Sequence, residues 1–214
     1  MKLIDMTLTQ FGNEVDSNSP APGGGSVAAY GSHVGVSLAR MMANLSFGKK
    51  KYEANEDSVK EEFKRRFDEL EGIRSELLEL VDKDTESFNE VMKAMKLPKE
   101  TDEEKNIRSE AIEEATWGSI EVPFKTAKVS LDALRLMEYF VEYGNQNAIT
   151  DLGVGSLMTY AGLEGAIFNV EVNLGGAKDI ERAKSMENEC KDILKEAEGI
   201  KRSIVEKIHK KLAL

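Results

Sequence analysis

The sequence predicts an all-α fold, a single-domain bundle of long helices over residues 1–214 that assembles as a dimer. Three observations carry this. Apolar residues recur at helical spacing over long stretches, above all between residues 57 and 95. The four prolines, Pro20, Pro22, Pro98 and Pro123, punctuate those stretches. No sustained apolar–polar alternation bounded by hairpin turns appears, so strands are not expected.

The first helix is expected over 7–15. Thr7-Leu8-Thr9-Gln10 fits a capping box, in which Thr7 accepts from a free backbone N–H and Gln10 reaches back. Residues 16–25 read as a loop rich in Ser, Pro and Gly. Ser26 then opens a helix to about residue 46. On it Gly31, Gly35, Ala39 and Ala43 form a small-residue face that lets another helix backbone approach closely. The 57–95 helix carries the stripe Val59, Phe63, Phe67, Leu70, Ile73, Leu77, Leu80, Val81, Phe88, Val91 and Met95. Pro98 ends it, and Thr101-Asp102-Glu103-Glu104 caps the next helix, which Pro123 should kink or split. That pattern stops at Gly144-Asn145. Thr150 or Asp151 caps a helix rich in small residues, which breaks between Asn169 and Gly176. Asp179 caps a last helix to about residue 211, its buried side running from Ile180 through Cys190 and Ile193 to Ile208. The long stripe and the small-residue face together exceed what a lone domain exposes, which predicts a homodimer.

Composition narrows the function classes. A net charge of −10 argues against bulk binding to nucleic acid or anionic membranes. No apolar run approaches the ~20 residues needed to span a bilayer. The first residues lack a signal peptide's apolar core, so a cytoplasmic protein is expected. Cys190 is the lone cysteine, and no internal disulfide is possible. No His/Asp/Glu spacing suggests a metal site, and no nucleophile elbow appears. His33 reads as packed and His209 as solvated.

Two places carry candidate chemistry. Pro22-Gly23-Gly24-Gly25-Ser26 joins a glycine loop to a helix start, where free N–H groups and the helix dipole suit an anion. It also reads as a flexible connection capped by Ser26. Asp84 is more informative. At ~100° per residue, positions 77, 80, 81, 84, 88, 91 and 95 share one face, and all but Asp84 are apolar. A carboxylate there is expected to be desolvated and raised in pKa, able to exchange protons near neutral pH, unless a buried cation or backbone donor holds it in a structural role. Asp82 points well away from that face. Asp151 offsets a helix dipole, Asn169 and Asn173 stand where a helix ends, and Lys49-Lys50-Lys51 is a solvated turn or a point for a carboxylate-rich ligand.

Several stretches together resemble one family. These are Ser19 to Ala29 around the glycine loop, Gly48-Lys49-Lys50, Val81-Asp82-Lys83-Asp84 with Phe88, and Met95 to Lys99. Arg108, Val122-Pro123, Gly144-Asn145, Asp151 and Asn169 to Leu174 follow in order. The chain is thereby similar to the cyclodeaminase domain of formiminotransferase-cyclodeaminase and to stand-alone methenyltetrahydrofolate cyclohydrolases. No formiminotransferase domain is expected in these residues. The resemblance implies an all-helical homodimer that binds a tetrahydrofolate derivative, in some cases polyglutamylated, as substrate, with no separate cofactor. It implies Asp84 as proton acceptor and Asp151 as a second site residue. Pro22, Gly23, Gly24, Gly25, Ser26, Lys49, Lys50, Asn145, Asn169 and Asn173 would contact the folate or its glutamate tail. His33 and Arg40 depart from the family, which tends to small or apolar residues there. Cyclodeaminase and cyclohydrolase chemistry share one bridge carbon. A folate-binding protein without turnover and a helical dimeric interaction protein are the alternatives. The interaction protein leaves Asp84 and the glycine loop without a purpose.

Overall fold

A computed structural model describes residues 2–213. Seven α-helices and no strand occur among them: α1 (Leu8–Val15), α2 (Gly24–Asn44), α3 (Lys50–Glu53), α4 (Asp57–Met95), α5 (Asp102–Tyr143), α6 (Ile149–Leu174) and α7 (Ile180–Leu212). Both expected capping boxes form, Thr7 accepting from the Gln10 N–H and Thr101 from the Glu104 N–H. Asp179 caps α7 by accepting from the Arg182 N–H. Thr150 and Asp151 do not cap α6. The chain enters α6 through a 3-10 turn over Gln146–Ala148, and the Asn145 side chain caps that turn.

Helices α2, α4, α5 and α6 make the core, and α7 lies over α5 and α6. Helix α2 packs most closely on α6. The reason is small side chains on both: a methyl built on Gly35 would lie 2.6 Å from the Gly155 carbonyl, and one on Gly155 2.6 Å from the Gly35 carbonyl. With the backbones this near, buried hydroxyls find partners across the helices. Ser130 Oγ donates to Ser32 Oγ at 2.8 Å, and Ser32 Oγ donates to the Thr159 carbonyl at 3.3 Å. Gly35, Ala39 and Ala43 of the small-residue face are therefore used inside the protomer, whereas a methyl on Gly31 would meet nothing within 4 Å. The α4 stripe is internal as well: Phe63, Leu70, Leu77, Leu80 and Val81 are buried. Its last turns open, and Met95 is 49% exposed.

Pro123 does not split its helix in two; α5 runs on as one helix of 42 residues. Proline has no N–H, so the carbonyl four residues earlier loses its helical donor. That carbonyl is Ser119's, and Asn173 Nδ2 on α6 donates to it at 2.9 Å. The foreign donor supplies the missing bond. Asp82 leaves the apolar stripe as its angle requires, yet it is buried rather than solvated. The Leu3 N–H, in a 3-10 turn over Leu3–Asp5, donates to its Oδ1 at 2.7 Å. His33 and Arg40 both join α2 to α4. His33 Nδ1 lies 2.9 Å from the Arg74 carbonyl, and Arg40 pairs with Glu71 at 2.9 Å and covers the Phe67 ring. Ile180, expected on the buried side of α7, is exposed in the first turn of that helix.

The close α2–α6 contact is testable. Gly155→Ala should cost about 1–3 kcal/mol by overpacking. Gly199→Ala, on α7 with nothing within 4 Å of the new methyl, should stabilise by up to ~1 kcal/mol through helix propensity. Urea midpoints that move the same way in both variants would contradict the packing account.

Candidate active site

The glycine loop and Asp84 meet. Gly23 is extended and serves as N-cap, so α2 starts at Gly24, two residues before the expected Ser26. The Val27 N–H bonds back to the Gly23 carbonyl at 3.1 Å, while the N–H groups of Gly24, Gly25 and Ser26 point out of the helix start. Asp84 of α4 stands against this end. A methyl on Gly25 would lie 2.0 Å from Asp84 Oδ1, so only glycine admits the carboxylate there. Ser26 is fully buried; its Oγ lies 3.1 Å from Asp84 Oδ2, 2.8 Å from the Val81 carbonyl and 3.1 Å from Thr85 Oγ1. Asn169 of α6 closes the other side, its Nδ2 3.1 Å from where a methyl on Gly24 would sit.

Two influences oppose each other on Asp84. Burial raises its pKa above the ordinary Asp value, and the Ser26 hydroxyl and backbone N–H pull it down; burial prevails. Among the described residues no Lys, Arg or His forms an ion pair with it. A buried cation is thus absent among the described residues, while the backbone donor that a structural role could also use is present in the Ser26 N–H at the α2 end. A half-buried carboxylate with a raised pKa and no counter-ion can take a proton from a bound molecule and return it.

The other expected site residues separate. Pro22 and Gly23 to Ser26 lie with Asp84 and Asn169. Asn173 is one turn beyond Asn169, and its amide serves Ser119 instead of an open site. Lys49, Lys50, Asn145 and Asp151 lie at the opposite end of the bundle. The 21 residues of α2 at ~1.5 Å per residue put the ends ~30 Å apart. The Asn145 amide is taken up locally: Nδ2 donates to the Leu45 carbonyl at 3.0 Å, and Oδ1 accepts from the Asn147 N–H at 3.1 Å. Asp151 is half-buried in the first turn of α6. Lys49 and Lys50 are exposed beside a cavity of about 270 Å³, which Lys49, Tyr52 and Asn145 help to line. No residue group among those described converges as a metal site would require.

A larger groove, about 820 Å³, runs between α4 and α5. Leu80, Ala94, Ala115 and Val122 are on its apolar floor, and Lys83 and Lys125 are on its rim. Lys83 and Ser87 flank Asp84 in sequence and line this groove, whereas Asp84 itself turns to α2. Thr85 is the site residue that sequence reading missed. It is adjacent to Asp84, but its part depends on Ser26, 59 positions away.

Two outcomes are expected of this geometry. Gly25→Ala should displace the Asp84 carboxylate and abolish activity while circular dichroism keeps its helical form. The second concerns pH. A folded Asp84 raised above its ordinary value of 3.8 keeps its proton where the unfolded chain has lost it. Its stabilising contribution is present below that value and declines as pH rises through the folded pKa. Urea midpoints of the wild type should therefore fall relative to those of Asp84→Asn as pH rises from 4 to 8. Parallel curves would show that Asp84 is not desolvated.

Residues 7–192 match the family described as formiminotransferase-cyclodeaminase. The methenyltetrahydrofolate cyclohydrolase of Methylorubrum extorquens is 37% identical over 96% of this chain and 97% of its own. The formimidoyltransferase-cyclodeaminase of Rattus norvegicus is 31% identical over 91% of this chain, which spans 35% of that longer protein. The crystal structure of formiminotetrahydrofolate cyclodeaminase from Thermotoga maritima superposes with a TM-score of 0.85 at 27% identity, covering 98% of both chains. With a matched region that takes in the glycine loop, Asp84 and Asn169, the chain belongs to the formiminotransferase-cyclodeaminase family.

Proposed function

We propose that this chain is a folate one-carbon enzyme acting at the carbon that bridges N5 and N10 of tetrahydrofolate, with Asp84 as its proton acceptor. The observation that carries the reading is the Asp84 carboxylate, unpaired by any cation among the described residues and held at the α2 N-terminus. Relatedness to a cyclohydrolase over nearly the whole of both chains favours hydrolysis of 5,10-methenyltetrahydrofolate. Water attacks the methenyl carbon and Asp84 takes its proton. The C–N bond to the ring nitrogen then breaks, Asp84 passes that proton to the leaving nitrogen, and the adduct's hydroxyl loses its remaining proton to solvent as the formyl C=O forms, giving a formyltetrahydrofolate. The likeness to a solved cyclodeaminase favours a second use of the same group. There N10 of 5-formimidoyltetrahydrofolate attacks the carbon of the protonated (amidinium) formimidoyl group, Asp84 takes the N10 proton and passes it to the departing NH2, and ammonia leaves as the C–N bond breaks and the methenyl cation forms. Each route needs a carboxyl stable in both protonation states.

The proposed dimer would use a different surface from the one the sequence suggested. Val27, Met41 and Leu45 on α2 and Val154, Leu157, Phe168 and Val172 on α6 are exposed apolar side chains, and the proposed interface is built on them. Phe168 is 60% and Val172 72% exposed. A second copy related by a two-fold axis across this interface would run its helices antiparallel. Lys49 and Lys50 of one protomer would then stand beside the Asp84 end of the other, within reach of a glutamate tail.

Two measurements test these readings. Asp84→Asn should lose roughly 10²–10⁴-fold in turnover, with affinity for the folate kept. Loss of methenyl absorbance and release of ammonia from the formimidoyl compound distinguish the two reactions. Binding without turnover of either compound by the wild type would make this a folate-binding protein, and no binding would leave an interaction protein. Leu157→Asp should convert the dimer mass seen by light scattering to that of a 23.7 kDa chain. A wild-type monomer at micromolar concentration would overturn the assembly.

A further inference from the structure

We propose that Ser26 is a positioning residue, a hydroxyl that reverses its hydrogen bond as Asp84 gains or loses a proton, and not a contact to the folate. The inference rests on Asp84 being the proton acceptor. Ser26 is fully buried, so no ligand reaches its side chain without displacing helix. Its Oγ has three polar neighbours and only one proton to give: the Val81 carbonyl at 2.8 Å, Asp84 Oδ2 at 3.1 Å and Thr85 Oγ1 at 3.1 Å. The Val81 carbonyl accepts only. An ionised Asp84 also accepts only. A single O–H cannot serve both at full strength, and this divides the site into two arrangements.

With Asp84 ionised, the Ser26 O–H donates to Oδ2, and Thr85 donates to Ser26 Oγ. With Asp84 protonated, the carboxyl O–H donates to Ser26 Oγ, and the Ser26 O–H turns to the Val81 carbonyl. Only hydrogens move. The carboxyl therefore keeps its place against Gly25 in both states, as a group must if it accepts a proton in one step and delivers it in the next. A hydroxyl suits this because it donates and accepts, where an amide N–H does only the first. Among the described residues no charged group acts on Asp84. The facing residues of α2 are Gly24, Gly25 and Ser26, α6 contributes Asn169 nearby, and the charged Asp82 of α4 turns away to Leu3. Burial and Ser26 are the influences on Asp84.

The bond to the ionised carboxylate is charge-assisted and is the stronger of the two arrangements. Removing the hydroxyl should therefore raise the Asp84 titration midpoint, by about one pH unit. The carboxyl ¹³C shift of Asp84, assigned by its absence in Asp84→Asn, reads this directly in Ser26→Ala without any substrate. Steady-state rates on 5,10-methenyltetrahydrofolate should show kcat near pH 7 falling about tenfold with KM within twofold. Ser26→Ala placed on Asp84→Asn should cost nothing further. A midpoint that stays put, or a KM that rises with kcat unchanged, overturns the proposal and returns Ser26 to substrate binding or plain packing. Full turnover by Asp84→Asn would instead defeat the proton-acceptor reading, and the ¹³C midpoint would still judge Ser26.

Discussion

The contact between the Asp84 carboxylate and the start of α2 is the constraint on which the rest of the site depends. A helix N-terminus presents free N–H groups and a partial positive charge, and a carboxylate is the natural complement. Here the complement comes from another helix, 58 residues away. Gly25 has no side chain because the carboxylate occupies that space, and Ser26 faces inward because it completes the contact. The result is an acid held by dipoles instead of by a cation. A lysine or arginine partner would have fixed the charge and pinned the pKa low. Helix dipole and hydroxyl stabilise the ionised form more gently, and burial lifts the group back towards neutrality.

That contact is possible because α2 and α4 are aligned by independent means. His33 and Arg40 bond α2 to α4 further along, and glycines at the α2–α6 seam bring α6 close enough for Asn169 to reach Gly24. Close packing on the inner side has a consequence on the outer. The large apolar side chains of α2 and α6 that do not fit the seam, such as Met41 and Phe168, point away from the core. These exposed apolar side chains are thus a product of the same packing that builds the site.

The asparagines illustrate how a residue shared with a family can serve the fold first. Asn173 supplies the donor that Pro123 removes from α5, and Asn145 ties the turn before α6 to the end of α2. Both look like ligand contacts when met in a motif. Their amides are instead occupied by backbone carbonyls, and what they contribute to the site is the relative placement of its helices. Asn169 differs. Its amide bonds within its own helix, to the Gly165 carbonyl, and still borders the open end of α2.

Much of this was legible in the sequence, because helical periodicity and capping chemistry are local. The two Thr capping boxes, the Asp179 cap, the long α4 and the acid at position 84 in its apolar face follow from neighbours within a few residues. The continuity of α5 did not, since the repair of a proline depends on Asn173 from another helix. Burial of Asp82 did not, since it needs the Leu3 N–H from the start of the chain. The role of the small residues in α2 was legible as close packing, but not its partner; only the tertiary structure places Gly155 against Gly35. The sequence determined that a carboxylate would be poorly solvated at position 84. Tertiary structure alone decided that it would meet glycine N–H groups and a serine instead of a cation, because a helix pattern specifies which face is buried and carries no information on what will face it.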